Sequence, residues 1–163
     1  IFIACVTASI LFIFIEKKNE AQNIELSEDY NKAKILIQQN KKDQAKELLL
    51  KVIDEKNLVY SPLSLFLILD TQLIEDRLDV NKLFNTIISI DKLNEEDLNL
   101  IKIKKALFLM SYASEDQILE LLNPIINKDS IWKNTALELL ANYFLSKGEK
   151  QKSEEYFNLL KID

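Results

Sequence analysis

The sequence predicts an all-α protein: about four antiparallel helix pairs stacked as a solenoid, preceded by part of a membrane-crossing helix. Three observations predict it. From Ile24 onward apolar residues recur every three to four positions, and nothing alternates with period two for long. One glycine and two prolines in 163 residues are too few for a turn-rich β fold or a Gly-rich phosphate loop. An apolar fraction of 48% beside a charged fraction of 29% belongs to a folding chain, and its length suits one ordinary domain.

The first element is a different material. "IFIACVTASILFIFI" carries no charge before "EKKNE". As a helix it rises about 22 Å, short of the ~20 residues that cross a bilayer core. The expectation is therefore the C-terminal part of a transmembrane helix, residues 1–16, whose first turn and cytoplasmic flank precede Ile1. A cleaved signal peptide is the main rival, since Ala8 and Ser9 are small. Against it, the strongest apolar run follows them. A buried core helix is the remaining reading. Cys5 reads as a small membrane-facing or buried residue, because the apolar run continues well past it.

Residues 17–163 read as one helical-repeat domain. Breaks are expected near Asn40–Lys42, Asn57, Asp79, Asn94, Ala113 and Gly148. Ser61 before Pro62 is the pattern of a cap followed by a first-turn proline. Ser114 with Gln117 makes a capping box, and Ser130 precedes the helix opening "IWKN". Pro124 should bend or end its helix, because it lacks a donor and crowds the preceding turn. Short connections between helices of this length give antiparallel neighbours.

Within the pairs a small–large–small–large order recurs. Ala33, Leu36, Ala45 and Leu49 give the first copy, and Ala141, Phe144, Ser153 and Phe157 the last. Ala106, Leu109, Ile118 and Leu122 give the third, and Thr71, Ile74, Leu83 and Ile87 a weaker second. The second-helix anchors 45, 83, 118 and 153 are 38, 35 and 35 residues apart. One such hairpin cannot bury its apolar side alone, so stacking must supply the core. Period and order resemble the tetratricopeptide repeat, most clearly over residues 29–56 and 134–160. The consensus tryptophan and tyrosine of the first helix are missing, and Ala33, Thr71, Ala106 and Ala141 stand where the repeat has glycine.

With its apolar leader, the chain is similar to the bacterial inner-membrane, periplasm-facing family of ancillary Sec-translocon subunits. The match rests on "IWKNTALELLANYFLSKGEKQKSEEYFNLL", through Trp132, Ala136, Glu138, Leu139, Leu140 and Gly148. The resemblance implies a single-pass inner-membrane protein whose C-terminal domain lies in the periplasm. It also implies contact with translocon subunits, periplasmic chaperones or emerging nascent chains.

Composition narrows the chemistry. Histidine is absent and Cys5 is the only cysteine, which excludes an intramolecular disulfide, Cys–His nucleophiles and zinc sites. Net charge is −5 and Arg77 is the only arginine, so nothing points to nucleic acid. "NEEDLN" at 94–99 and "SEDQ" at 114–117 read as helix starts, where acids complement exposed amides, rather than as catalytic carboxylates. Tyr60, Tyr112, Tyr143 and Tyr156 read as packing residues at hairpin edges, and Trp132 as a wedge between repeats. No enzyme, metal or cofactor is expected. The expected function is protein binding by a membrane-anchored adaptor; the alternative is a self-associating scaffold of an envelope or respiratory assembly. First-helix positions would line a concave surface: Tyr30, Lys34 and Gln38, then Gln72 and Glu75, then Glu138 and Asn142. Leu100, Ile103 and Leu107 would add an apolar strip.

Overall fold

A computed structural model describes residues 2–161, with side chains described from Glu16 onward. Among the described residues there are eight α-helices and no strand. They are α1 (Phe2–Gln38), α2 (Lys42–Asp54), α3 (Tyr60–Asp70), α4 (Arg77–Ile88), α5 (Glu95–Leu109), α6 (Glu115–Ile126), α7 (Lys133–Ser146) and α8 (Lys150–Leu159). The all-α expectation holds. Among the described residues no helix is long and apolar enough to cross a membrane. The run proposed as an anchor lies outside the described side chains; α1 passes from it into the first hairpin without a break.

The helices form two compact units, Ile1–Ile90 and Asp91–Asp163. In the first, α1 packs on α2, α2 on α3, and α4 returns against α3 and α2, while α1 also touches α3. In the second, α5 packs on α6, α6 on α7 and α7 on α8, with α5 touching α7. Each unit is thus two helical hairpins laid side by side.

The first hairpins of the two units match with a displacement of 73 positions. Ala33, Ala45, Leu49 and Val52 correspond to Ala106, Ile118, Leu122 and Ile125, and all eight are fully buried. Alanine at the first position lets the two helices of a hairpin approach; the larger residues fill the space behind them. The tie between the end of each second helix and the part of the first helix beside it repeats with the same displacement. In unit 1 Gln22 Nε2 donates to Glu55 Oε2 at 2.9 Å, and Asn57 Nδ2 to Asn23 Oδ1 at 2.6 Å. In unit 2 Lys128 pairs with Glu95, and Ser130 Oγ donates to Glu96 Oε2 at 2.8 Å.

Three of the hairpin turns share one stop signal. Asn40, Gln72 and Gly148 have φ of 58°, 51° and 80°. The next amide in each case donates five residues back: Lys41 to Leu36, Leu73 to Ile68 and Glu149 to Phe144. This is the Schellman closure, which satisfies a last-turn carbonyl that would otherwise be orphaned.

That shared turn corrects the phase of the second hairpin. The residue seven before the turn is Ala33 in the first hairpin and Ala141 in the last, so its counterpart in the second is Leu65, buried at 0% exposure. Thr71 is instead the C-cap of α3. The small residues of this hairpin are Ser61 and Ser64, both fully buried. The helix expected to break near Asp79 begins at Arg77, capped by Asp76, whose carboxylate accepts from Leu78 and Asp79 amides. Its inward residues are Val80, Phe84 and Ile87, with Leu83 only half-buried.

Caps elsewhere follow the sequence except at Ser61 and Ser130; α7 opens only at Lys133, with Trp132 as its N-cap, and Ser130 Oγ accepts from the Trp132 amide at 3.2 Å. Ser114 and Gln117 form the capping box, and Asn94 caps α5 ahead of three first-turn acids. Ser61 does not cap α3. It lies inside the helix and donates to Val52 O at 2.8 Å, while Asn57 Oδ1 accepts from the Val59 and Tyr60 amides. Pro124 sits in the last turn of α6, which ends two residues later at Ile126.

Candidate functional site

The side chains expected to bind partners fall into three places. Tyr30, Lys34 and Gln38 recur every four residues along one face of α1, clear of the core. Glu138 and Asn142, both exposed, do the same on α7 in the other unit. Gln72 and Glu75 do not lie on a first-helix face; they belong to the connection between α3 and α4. There they line a cavity of ≈ 660 Å³ with Lys46 of α2 and Lys82 of α4. The corrected phase puts Pro62, Phe66 and Asp70 of α3 at the positions that correspond to Tyr30, Lys34 and Gln38.

In unit 1 the α1 and α3 faces meet through aromatic residues. The Tyr30 and Tyr60 rings lie 6.2 Å apart, tilted at 48°, and Lys34 Nζ stands 5.8 Å from the centre of the Tyr30 ring. Burial, and then the negative charge of Asp70, push the Tyr30 hydroxyl above its usual pKa, so it remains a neutral donor at any physiological pH. Toward the N-terminus the same side of α1 opens into a groove of ≈ 790 Å³, whose lining includes Ile24 and Tyr60. Sequence reading missed this groove, because it depends on where α3 starts beside α1.

In unit 2 the outward positions are mixed, with exposed leucines as well as the polar Glu138 and Asn142. Leu107 of α5 and Leu145 of α7 are each about half exposed, at 51% and 50%. Ile103, expected in the same strip, is buried instead, and Leu100 is half-buried. Behind the strip lies an aromatic core. Phe144 stacks on Tyr156 at 5.5 Å and meets Tyr143 edge-on at 5.4 Å. Lys152 Nζ covers the Phe144 ring at 4.8 Å and reaches Glu115 and Glu149, each at 2.8 Å; these two carboxylates hold its pKa above the usual lysine value. Trp132 packs against this core as the N-cap of α7. Of the four tyrosines read as edge residues, Tyr143 is fully inside, at 3% exposure.

Among the described residues no three metal-ligating side chains cluster. No family model matches the chain, and neither does any curated protein or solved structure. The fold defines a class, an all-α protein of two two-hairpin units whose first hairpins correspond, and the functional reading rests on its own residues.

Proposed function

We propose that the chain is a protein-binding adaptor whose hairpins stack in the manner of tetratricopeptide repeats. The N-terminal apolar run holds it at the periplasmic face of a bacterial inner membrane. Its partners are translocon subunits, periplasmic chaperones or emerging chains, and it catalyses no reaction. One observation carries this reading. The first hairpins of the two units share four buried positions and their ties, yet differ where the first helices face outward: exposed Lys34 in one corresponds to exposed Leu107 in the other. A stack that keeps its core and varies its face offers binding surfaces of different chemistry. A membrane tether would raise the effective concentration of such a surface at its partner without any added contact.

The test is site-specific photocrosslinking of the full chain in membranes, with probes at Tyr30, Lys34 and Asn142 and a control at exposed Glu47 on α2. Adducts to translocon subunits or chaperones at the first-helix probes, and none at Glu47, are the expected result. Labelling confined to copies of this chain would replace the adaptor with the self-assembling scaffold. Equal labelling at all four positions would remove the proposed surface altogether.

A further inference from the structure

The groove on α1 has a one-sided chemistry. Glu16, Glu20 and Glu28 line it, and no lysine or arginine does. Other acids on this helix are occupied: Glu25 and Asp29 both reach Lys51 of α2, at 3.3 and 2.9 Å. Glu16, Glu20 and Glu28 form no ion pair among the described residues. The rest of the lining is mixed: Ile24, at 56% exposure, and the half-buried Tyr60 are its apolar part, alongside Asn19, Asn23 and Ser27. Next to Tyr60 in the chain, Leu58 and Val59 are exposed at 44% and 58%, and Leu63, one turn further, at 38%.

The repeat does not require this feature. Its counterpart in unit 2, α5, starts at Glu95, which corresponds to Gln22. The turn of α1 that carries Glu16 and Glu20 therefore lies outside the duplicated hairpin, and no core residue depends on it. What it does is carry the Tyr30–Lys34–Gln38 side of α1 onward with Glu16 and Glu20, next to the exposed Ile24.

From this geometry we propose that the groove docks a cationic amphipathic segment of a protein partner, its apolar side on Ile24 and Tyr60 and its lysines or arginines on Glu16, Glu20 and Glu28. The proposal deepens the adaptor reading and rests on it. Charge complementarity selects the occupant. An acidic helix would face three unneutralised carboxylates, and a purely apolar one would leave them beside its surface without counter-charges.

The experiment uses the full chain in zwitterionic nanodiscs and a short fluorescent peptide with lysines on one helix face and leucines on the other. Anisotropy reads binding, with empty nanodiscs as the blank. The triple variant Glu16→Gln, Glu20→Gln, Glu28→Gln should weaken binding at least about fivefold, three exposed ion pairs being lost. Ile24→Ser should weaken it too, and that loss should persist when salt rises to about 0.5 M, where the carboxylate contribution is screened. A second triple, Asp129→Asn, Glu154→Gln, Glu155→Gln, changes net charge equally at exposed sites of unit 2 and should stay within about twofold of the parent. Equal losses from the two triples would overturn the proposal, reducing it to diffuse attraction by an acidic chain; so would no loss from the groove triple or from Ile24→Ser. If Tyr30 probes still capture partners after such a failure, this inference falls alone and the adaptor reading stands. If no first-helix probe captures any partner, the adaptor reading falls by its own test.

Discussion

Replacing Phe144 by alanine should be among the most damaging single changes in unit 2. The side chain is 1% exposed, sandwiched by the parallel Tyr156 ring and met edge-on by Tyr143. Truncating a buried phenylalanine costs roughly 3–5 kcal/mol through lost transfer energy and the cavity left behind. Two aromatic contacts of favourable geometry place this position toward the upper part of that range. Phe144→Leu keeps most of the volume and loses the stacking, so it should cost about 1–2 kcal/mol. The assay is urea unfolding followed by tryptophan emission. Trp132 is the only tryptophan in the chain and packs on the same core, so the probe reports this unit. Leu145→Ala, at the next residue but half exposed, is the control and should stay within about 0.5 kcal/mol. If Phe144→Ala cost no more than Leu145→Ala, the packing described for α7 and α8 would be wrong.

Gly148→Ala isolates backbone strain: φ is +80° and an added Cβ would meet no atom within 4 Å, so the expected loss is the left-handed penalty alone, about 1–2 kcal/mol by the same urea assay. Ser64 is fully buried and its hydroxyl has no hydrogen-bond partner among the described residues; Ser64→Ala should leave stability unchanged or raise it by up to ~1 kcal/mol, and a loss greater than that would reveal a bond to that hydroxyl. Burial, with Glu115 next in effect, holds the Tyr143 hydroxyl above its usual pKa of about 10. The unfolded chain therefore releases that proton first, and stability should fall as pH rises through about 10 toward the raised native value. Urea midpoints at pH 8 and 10.5 should differ less in Tyr143→Phe than in the parent; an unchanged difference would place that titration elsewhere.

The parts of this fold that could be read in advance were those where local chemistry and tertiary packing agree. Asn40, Asn94 and Gly148 mark real helix ends because each supplies a cap or a tolerated left-handed turn. The Ser114–Gln117 box is entirely local and formed as read. The second hairpin resisted reading for two physical reasons. Its turn bends at Gln72, a residue with no special tolerance for positive φ, so the sequence carries no punctuation there. And the close helix approach is made by Ser61 and Ser64 rather than by an alanine, so Thr71, the small residue that fitted the expected spacing, drew the pattern six residues too far along. Gln72 and Glu75 consequently left the face assigned to them. Ser61 looked like a cap because it precedes proline, but Asn57 reached the α3 amides first and left its hydroxyl free to bond Val52.

The duplication explains which features can vary and which cannot. Tying the end of a second helix to the first helix beside it requires two short contacts at fixed places, not particular residue types. Unit 1 makes them with Gln22–Glu55 and Asn23–Asn57, and unit 2 with Glu95–Lys128 and Glu96–Ser130. An amide–carboxylate bond in one unit thus does the work of an ion pair in the other. Inward positions have less freedom, because a methylene gained or lost between close-packed helices is felt at once. Outward first-helix positions meet neither demand. That is why Lys34 can stand where the other unit has Leu107, and why Glu16 and Glu20 can occupy a turn that the hairpin never uses. Carboxylates kept beside an exposed isoleucine that form no ion pair among the described residues do not help to hold these helices together, and that is the physical ground for proposing a partner there.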